Sequence, residues 1–532
     1  MMQRAKALSG ELAGITLLLV VCLVVGLPRF SSNLDLSDEG FLAYGTVRVM
    51  QGQVPNLDFV SLQPPLSFYT TALVFKMLGT SLLSMRVLGL ALHVVIVWLI
   101  YGIARCLTGR RLALAAALPA TVLGLPFFTF IPYAVWQGIA ASLGAALLFL
   151  RAASATGSRV WLAFPAGLLT AAAILFRHDQ GCYLAVSLVA FLLLLKAVKA
   201  EPHLKPPLRH LTGFWLLGLG TLFVPFAVYW VAKGAWPDIL KQLVIFPLTT
   251  YAKTSSVPYP SVLKEPALQG KAIAAFYFAP PVVEVAMAVW LGRKVIRRGL
   301  QLLDTAPFFI LIWAGLYYLQ VLARSDPHHL LTTLPPFFVL CATGWRAVLE
   351  AVGSRPQTQR TSAVTRAGIV ASGLAGALVL AFLILTVPYF VPGALPRTET
   401  LQLERGGTRK LGANNLKKFI ERVQSYAPPN RSILCLPYQP MFYFLCERRN
   451  PTRWNYLWPG DQTPEEHQAL IRQAEADPPA VVVITEEEDM RRYAPEVLDY
   501  VHTAFRLAFS AGGTFTVYVR PTDKPGTVTG AN

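Results

Sequence analysis

The chain has 532 residues, of which 54% are hydrophobic and 14% charged. A soluble globular protein carries about 25% charged residues, and six cysteines are far too few for a disulfide-stapled scaffold. Composition therefore excludes a soluble domain, a disordered or collagen-like chain and a small secreted one. The apolar residues come in runs of about twenty separated by short basic or Pro-rich breaks, the pattern of a polytopic membrane protein.

The formal net charge is +18, and its distribution is informative. Residues 393–532 are nearly neutral, with 17 basic and 16 acidic residues, whereas residues 1–392 hold 30 basic and 13 acidic ones. An excess confined to the apolar part reads as Lys and Arg holding loops on the cytoplasmic side. Nucleic-acid binding would instead gather the charge on a soluble face.

In chain order, Arg4 and Lys6 precede the apolar run Leu12–Leu27, which reads as an uncleaved signal anchor with a cytoplasmic N-terminus. Further spans are expected at 82–105, 112–128, 134–151, 160–176, 182–196, 211–232, 272–291, 303–323, 328–350 and 367–390, about eleven in all. The inner breaks carry Arg105/Arg110/Arg111, Arg151/Arg159, Lys196/Lys199/Lys205/Arg209, Arg293/Lys294/Arg297/Arg298 and Arg346/Arg355/Arg360/Arg366. The third span is short and holds Pro119 and Pro126. No internal repeat is evident, which argues weakly against the duplicated build of many transporters.

An odd number of spans leaves the tail outside. Ser432–Leu436 and Ala480–Thr485 read as buried strands, Asn414–Gln424 and Glu465–Glu475 as helices, so residues 393–520 form a small α/β domain and 521–532 a disordered end. In that domain, Pro437-Tyr438 and the aromatic stretch Asn450–Gly460 could stack on sugar rings or dock on the membrane interface, and core packing is the competing reading. Cys435 and Cys446 both lie where oxidation is permitted, without a spacing that fixes a bond.

The membrane part has few acids, so their positions matter. The first outer loop, residues 30–81, holds Asp35, Asp38, Glu39 and Asp58. Asp38 and Glu39 head a helix over Gly40–Gln51 whose apolar residues Phe41, Tyr44, Val47 and Val49/Met50 recur at helical spacing, and the helix is expected to lie along the membrane interface. Taken alone, the pair would be a helix cap. Two other outer corners gather charge, Arg177-His178-Asp179-Gln180-Gly181 and Arg324-Ser325-Asp326-Pro327-His328-His329. The competing reading of each is an arginine snorkelling at a span end. The outer segment 233–271 adds Lys241, Lys253 and several aromatics, either an interfacial loop over a site or a plain connection.

Asp38-Glu39-Gly40, the Gly52-x-x-Pro55 turn, and Pro64-Pro65-Leu66 with Phe68-Tyr69 resemble the first outer loop of the GT-C membrane glycosyltransferases. The likeness lies in the branch of protein O-mannosyltransferases and lipid A aminoarabinose transferases. It extends through Arg86 and the second span, and more loosely over the whole layout. The resemblance implies a multi-span all-α membrane bundle of the GT-C type with a C-terminal extracytoplasmic α/β domain. It also implies a sugar donor linked through phosphate to a polyprenyl chain, and a lipid, glycan or protein acceptor among membrane lipids, with no nucleic acid. Asp38 would be the catalytic base, with Glu39 its neighbour or substitute. Arg177, His178, Arg324, His328, His329 and Lys253 would meet the donor phosphate, and Asp179, Asp326, Tyr133, Trp136 and Gln63 are candidates for a second acid or for substrate contact. Chemistry of this kind needs one carboxylate for the acceptor proton and cationic groups for the departing phosphate.

Lipid A aminoarabinose transferases have an acid and a lysine before the Pro-Pro, where this chain has Leu62 and Gln63, and a second acid after the third span, where Leu125–Gln137 has none. No resident cofactor is called for. A divalent metal stays open, because His178, Asp179, Asp326, His328 and His329 with Asp38 or Glu39 make an oxygen and nitrogen donor set, although the spacing matches no zinc motif. The short loops and the tail point to a bacterial inner membrane. The rival readings are a transporter of a lipid-linked envelope precursor, which would need polar groups at bilayer depth in several spans, and a non-catalytic membrane scaffold.

Overall fold

A computed structural model describes residues 2–125, 129–154, 159–198, 207–353, 399–410 and 413–521. The span expected at 367–390, the basic residues Lys199, Lys205, Arg355, Arg360 and Arg366, and the end beyond Pro521 lie outside the described residues.

The helices are α1 (Met2–Phe30), α2 (Asp38–Met50), α3 (Leu66–Leu78), α4 (Leu82–Leu107), α5 (Arg110–Ala117), α6 (Ala134–Ala153), α7 (Ala163–Phe176), α8 (His178–Ala197), α9 (Leu208–Ala232), α10 (Trp236–Leu240), α11 (Ala252–Thr254), α12 (Leu268–Tyr277), α13 (Ala279–Arg298), α14 (Leu302–Ala323) and α15 (Pro327–Gly353). Short strands β1 (Glu399–Thr400) and β2 (Arg409–Lys410) follow. Then come α16 (Ala413–Tyr426), β3 (Ile433–Leu436), α17 (Met441–Cys446), α18 (Pro464–Ala476), β4 (Val481–Ile484), α19 (Glu487–Tyr493), α20 (Pro495–Ala504), β5 (Arg506–Ala511) and β6 (Phe515–Val519).

Among the described residues, seven helices are long and apolar enough to cross a bilayer: Leu8–Phe30, Leu82–Leu107, Ala134–Ala153, His178–Ala197, Leu208–Ala232, Gly270–Arg298 and Leu302–Ala323. The chain is an integral membrane protein. The third expected span, 112–128, is not a spanning helix. Helix α5 has eight residues, a rise of about 12 Å against a hydrocarbon core of about 30 Å. Pro119 then opens a 3₁₀ turn and Gly124 takes φ +116°, so the backbone leaves the helical region where the prolines forecast a break. The stretches 160–176 and 328–350 are helical, α7 behind a 3₁₀ turn and α15 with Pro335 and Pro336 inside it.

The chain folds as two compact units. The first comprises residues 1–29, 89–230 and 256–394. Its helices pack as α6 on α7, α7 on α8, α8 on α14 and α14 on α15. An aromatic seam of Phe149, Phe191, Phe309 and Trp313 fills the centre, with neighbouring ring centroids 5.4–6.1 Å apart. Where α7 meets α9, a Cβ on Gly167 would lie 2.0 Å from the Trp215 carbonyl, and one on Gly218 2.0 Å from the Phe164 carbonyl. Small residues facing each other let the two backbones touch, the usual basis of helix association in lipid.

The second unit comprises residues 30–88, 231–255 and 395–532. Its sheet has the order β3-β4-β6-β5, with β3 parallel to β4 and the other pairs antiparallel. Strands β3 (ILCL) and β4 (VVVI) are buried at every position, as uninterrupted apolar runs covered on both faces must be. The β5–β6 turn uses Gly512 and Gly513 at positive φ. Thr463 and Glu466 form a capping box that starts α18, with Pro464 in its first turn. Cys435 and Cys446 are buried free thiols.

This unit does not follow the division drawn at residues 392/393. Phe41, Tyr44, Phe59, Phe68 and Phe75 of the first outer loop share one core with Leu434, Phe442, Tyr443 and Phe444 of the tail. Nor does α2 present one face to the protein and the other to its surroundings. Residues Glu39–Thr46 and Arg48 are buried, because α2 is sandwiched between α3 and α17. Its apolar positions pack against protein on more than one side, which a one-stripe helical pattern does not anticipate.

Candidate active site

Helix α2 begins with two adjacent acids whose surroundings differ completely. Asp38 is exposed, whereas Glu39 has no solvent contact. The Glu39 carboxylate receives Arg86 in bidentate geometry, Nε to Oε1 at 2.8 Å and Nη2 to Oε2 at 2.9 Å, with both side chains fully buried. Arg86 also donates to the carbonyls of Phe30, Ser32 and Asn33, and the Asp35 N–H reaches Glu39 Oε2 at 3.2 Å. A buried ion pair is tolerable only when its remaining donors and acceptors are satisfied, and here residues 30–35 supply the partners. Glu39, read from sequence as a neighbour or substitute for Asp38, is thus committed to holding the loop. Asp35 Oδ1 accepts the Ser37 N–H and hydroxyl at 2.9 and 2.8 Å, so Ser37 folds back onto the loop and does not cap α2.

The tail closes over the other side of α2. The Met441 N–H donates to the Leu36 carbonyl at 3.1 Å, and a Cβ on Gly40 would fall 2.3 Å from the Met441 nitrogen. Glycine is required there by proximity. Tyr44 stacks on Tyr443 at 4.7 Å and accepts the Asn450 N–H at 2.6 Å. Arg48, 3% exposed, donates to Asn455 Oδ1 at 2.7 Å and to the carbonyls of Thr452 and Asp58 at 3.2 and 3.0 Å. The Tyr438 hydroxyl donates to Asp38 Oδ1, and the Tyr438 ring makes edge contacts with Tyr456 and Trp458 at 5.7 and 6.0 Å. Burial and the facing Asp38 carboxylate push the Tyr438 hydroxyl well above the usual tyrosine range, so it stays a donor.

In the first unit the two charged corners share one construction. Arg177 joins α7 to α8 at φ −149°, ψ 100°, and Arg324 follows α14 ahead of α15 at φ −149°, ψ 107°. Each arginine N–H closes the preceding helix, on Ala173 O at 2.8 Å and Gln320 O at 3.1 Å. Each Nε pairs with the aspartate two residues on, Asp179 at 2.9 Å and Asp326 at 2.6 Å. Asp179, in the first turn of α8, accepts the Gln180 N–H at 2.8 Å, while Asp326 accepts the His329 N–H at 2.9 Å and so caps the start of α15. The His329 ring Nδ1 lies 2.8 Å from Asp326. Burial alone would lift the Asp326 carboxyl, but the His329 ring and N–H together with Arg324 hold it below the usual aspartate range. His328 is exposed, and the partly buried His178 has an Nδ1 with no partner among the described residues.

The remaining candidates are dispersed. Tyr133 caps α6 and Trp136 is 1% exposed in its first turn, beside Gln137, whose amide donates to the Pro132 carbonyl at 2.8 Å. Gln63 has a buried side-chain oxygen with no partner among the described residues. Lys253 is exposed in α11, and Lys241 pairs with Glu466 at 2.8 Å. Among the described residues no three His, Cys, Asp or Glu side chains come together as a metal site. Sequence reading picked out Tyr438 only as an aromatic for stacking or docking, and missed both its bond to Asp38 and Arg48 altogether. Nothing local marks either contact, because the partners lie 400 and 407 residues apart along the chain.

Residues 62–230 match the family model described as dolichyl-phosphate-mannose-protein mannosyltransferase. No curated protein sequence matches the chain. The fold resembles ArnT from Cupriavidus metallidurans bound to undecaprenyl phosphate, with 14% identity, a TM-score of 0.54, and 98% of this chain and 99% of that one covered. It also resembles the oligosaccharyltransferase AglB from Archaeoglobus fulgidus in complex with an inhibitory peptide and a dolichol-phosphate, with 12% identity, a TM-score of 0.51, and 96% of this chain and 74% of that one covered. The likeness over nearly the full length shows that the chain has the GT-C fold, and the family match covers about a third of it, residues 62–230.

Proposed function

We propose that the protein transfers a sugar from a polyprenyl-phosphate donor to an acceptor hydroxyl at the extracytoplasmic face of a bacterial inner membrane, with inversion and with Asp38 as general base. The observation that carries this reading is the asymmetry at the head of α2: Glu39 is buried and bound to Arg86, while Asp38 is exposed on the frame that this pair fixes. A rigidly mounted, accessible carboxylate is what direct displacement at an anomeric carbon demands. The structures of similar fold that hold undecaprenyl phosphate and dolichol-phosphate support the donor class.

In this mechanism Asp38 takes the acceptor hydroxyl proton as the oxygen attacks the anomeric carbon from the face opposite the phosphate. The bond from that carbon to the phosphate oxygen breaks, and its electron pair leaves with the polyprenyl phosphate. Arg177 and Arg324, each oriented by its own aspartate, are suited to the departing charge as planar, always-ionised donors. His178, His328, His329 and Lys253 are further candidates for that charge, and Gln63, Tyr133 and Trp136 for substrate contact.

The test is release of free polyprenyl phosphate by the full chain in lipid nanodiscs supplied with a panel of polyprenyl-phosphate sugars and candidate acceptors. Asp38→Asn should keep the wild-type melting point and lose at least about a hundredfold in turnover. Undiminished release by that variant would remove Asp38 as the base.

A further inference from the structure

We infer that Tyr438, supplied by the C-terminal domain, is a positioning residue for Asp38: its hydroxyl fixes the rotamer of the carboxylate and holds it ionised. This rests on the reading of Asp38 as the base. Asp38 is the exposed member of the pair, on a side chain with two rotatable bonds, so the Glu39–Arg86 anchor sets its backbone and leaves its carboxylate to be oriented by something else. The hydroxyl of Tyr438 donates to Asp38 Oδ1.

The tyrosine is itself held in place. Edge contacts with Tyr456 and Trp458 fix its ring. The Leu457 N–H donates to the Pro437 carbonyl at 2.8 Å, and the Met441 N–H to the Leu36 carbonyl at 3.1 Å, which ties both flanks of Tyr438 down. The titratable groups around the pair are Asp35, the Glu39–Arg86 ion pair, and Tyr456 with its neighbour Asp461. The Tyr438 hydroxyl is in direct contact with the Asp38 carboxylate, whereas Arg86 is bound to Glu39. A donor to the ionised form favours that form and lowers the pH at which the base becomes available.

The experiment is the pH profile of kcat for polyprenyl-phosphate release in nanodiscs, for the wild type, Tyr438→Phe and Asp38→Asn, with Tyr518→Phe as control. Tyr518 donates to Glu487 elsewhere in the same domain. Tyr438→Phe keeps the ring packing. Its acid limb should move up by about one pH unit and kcat on the plateau should fall several-fold, with KM for the donor unchanged, while Tyr518→Phe leaves the limb where it was. Replacement of Tyr438 by 3-fluorotyrosine, a stronger donor of nearly the same shape, should move the limb down, and that measurement decides the matter if the phenylalanine variant folds poorly. A limb that stays put in both substituted proteins, with release still dependent on Asp38, overturns the role of Tyr438 and leaves the base standing. Release that survives Asp38→Asn overturns both.

Discussion

At the scale of single residues, burial decides what each charged group does. Glu39 and Arg86 would be an ordinary surface pair in water, worth about 0–1 kcal/mol; fully enclosed, each becomes indispensable to the other. Arg86→Ala should destabilise the protein by about 3–5 kcal/mol, because it leaves a carboxylate buried without a cation. Arg86→Lys should recover little of that loss, since an ammonium cannot reach two carboxylate oxygens and three carbonyls at once. Thermal melting of the two variants in detergent checks both expectations. Asp461 runs the other way. Burial raises its carboxyl to about 6, against a bond from Tyr456 that lowers it. The folded protein therefore holds this proton more tightly than the unfolded chain. Stability from this group is fully present below about pH 4 and is lost as pH rises through about 6. Asp461→Asn should remove up to about 3 kcal/mol of penalty at pH 7.5 and nothing at pH 4. Melting points measured at the two pH values, with an equal offset at both, would contradict this.

At the scale of elements, close approach of backbones fixes the geometry. Gly40→Ala places a Cβ against the Met441 backbone and should cost about 1–3 kcal/mol through overpacking. It should also lower turnover, because α2 must shift relative to α17 and carry Asp38 away from Tyr438. An alanine variant with wild-type melting and turnover would show that the two helices have slack. The paired corners at Arg177 and Arg324 make a second point. They have nearly the same backbone angles and the same arginine-to-aspartate bond. Whole-chain comparison of the sequence with itself shows no repeat, since the likeness is confined to three residues, and only the dihedral angles bring it out.

At the scale of the whole molecule, the second unit is assembled from three distant stretches of chain. The first outer loop has no core of its own: Phe41, Phe59, Phe68 and Phe75 are buried largely by the tail and by one another. Removing residues 395–532 should leave a protein that still inserts in the membrane but whose loop at residues 30–81 is cut rapidly by protease and whose Asp38-dependent turnover is gone. Limited proteolysis followed by mass spectrometry reads this directly, and a loop that stays protected after the deletion would disprove the shared core. Much of the architecture was legible in the sequence. Apolar run length located seven of the expected membrane helices among the described residues, because a bilayer imposes a minimum span. The continuous apolar runs at Ser432–Leu436 and Ala480–Thr485 determined the buried strands, whereas the third expected span was drawn through Pro119, where the helix in fact stops at α5. What only the tertiary structure decided is which member of the Asp38-Glu39 pair is accessible, that α2 is buried on more than one side, and that Tyr438 meets Asp38. Periodicity and composition record how a segment is solvated on average, whereas these three facts depend on contacts between residues that chain connectivity does not relate.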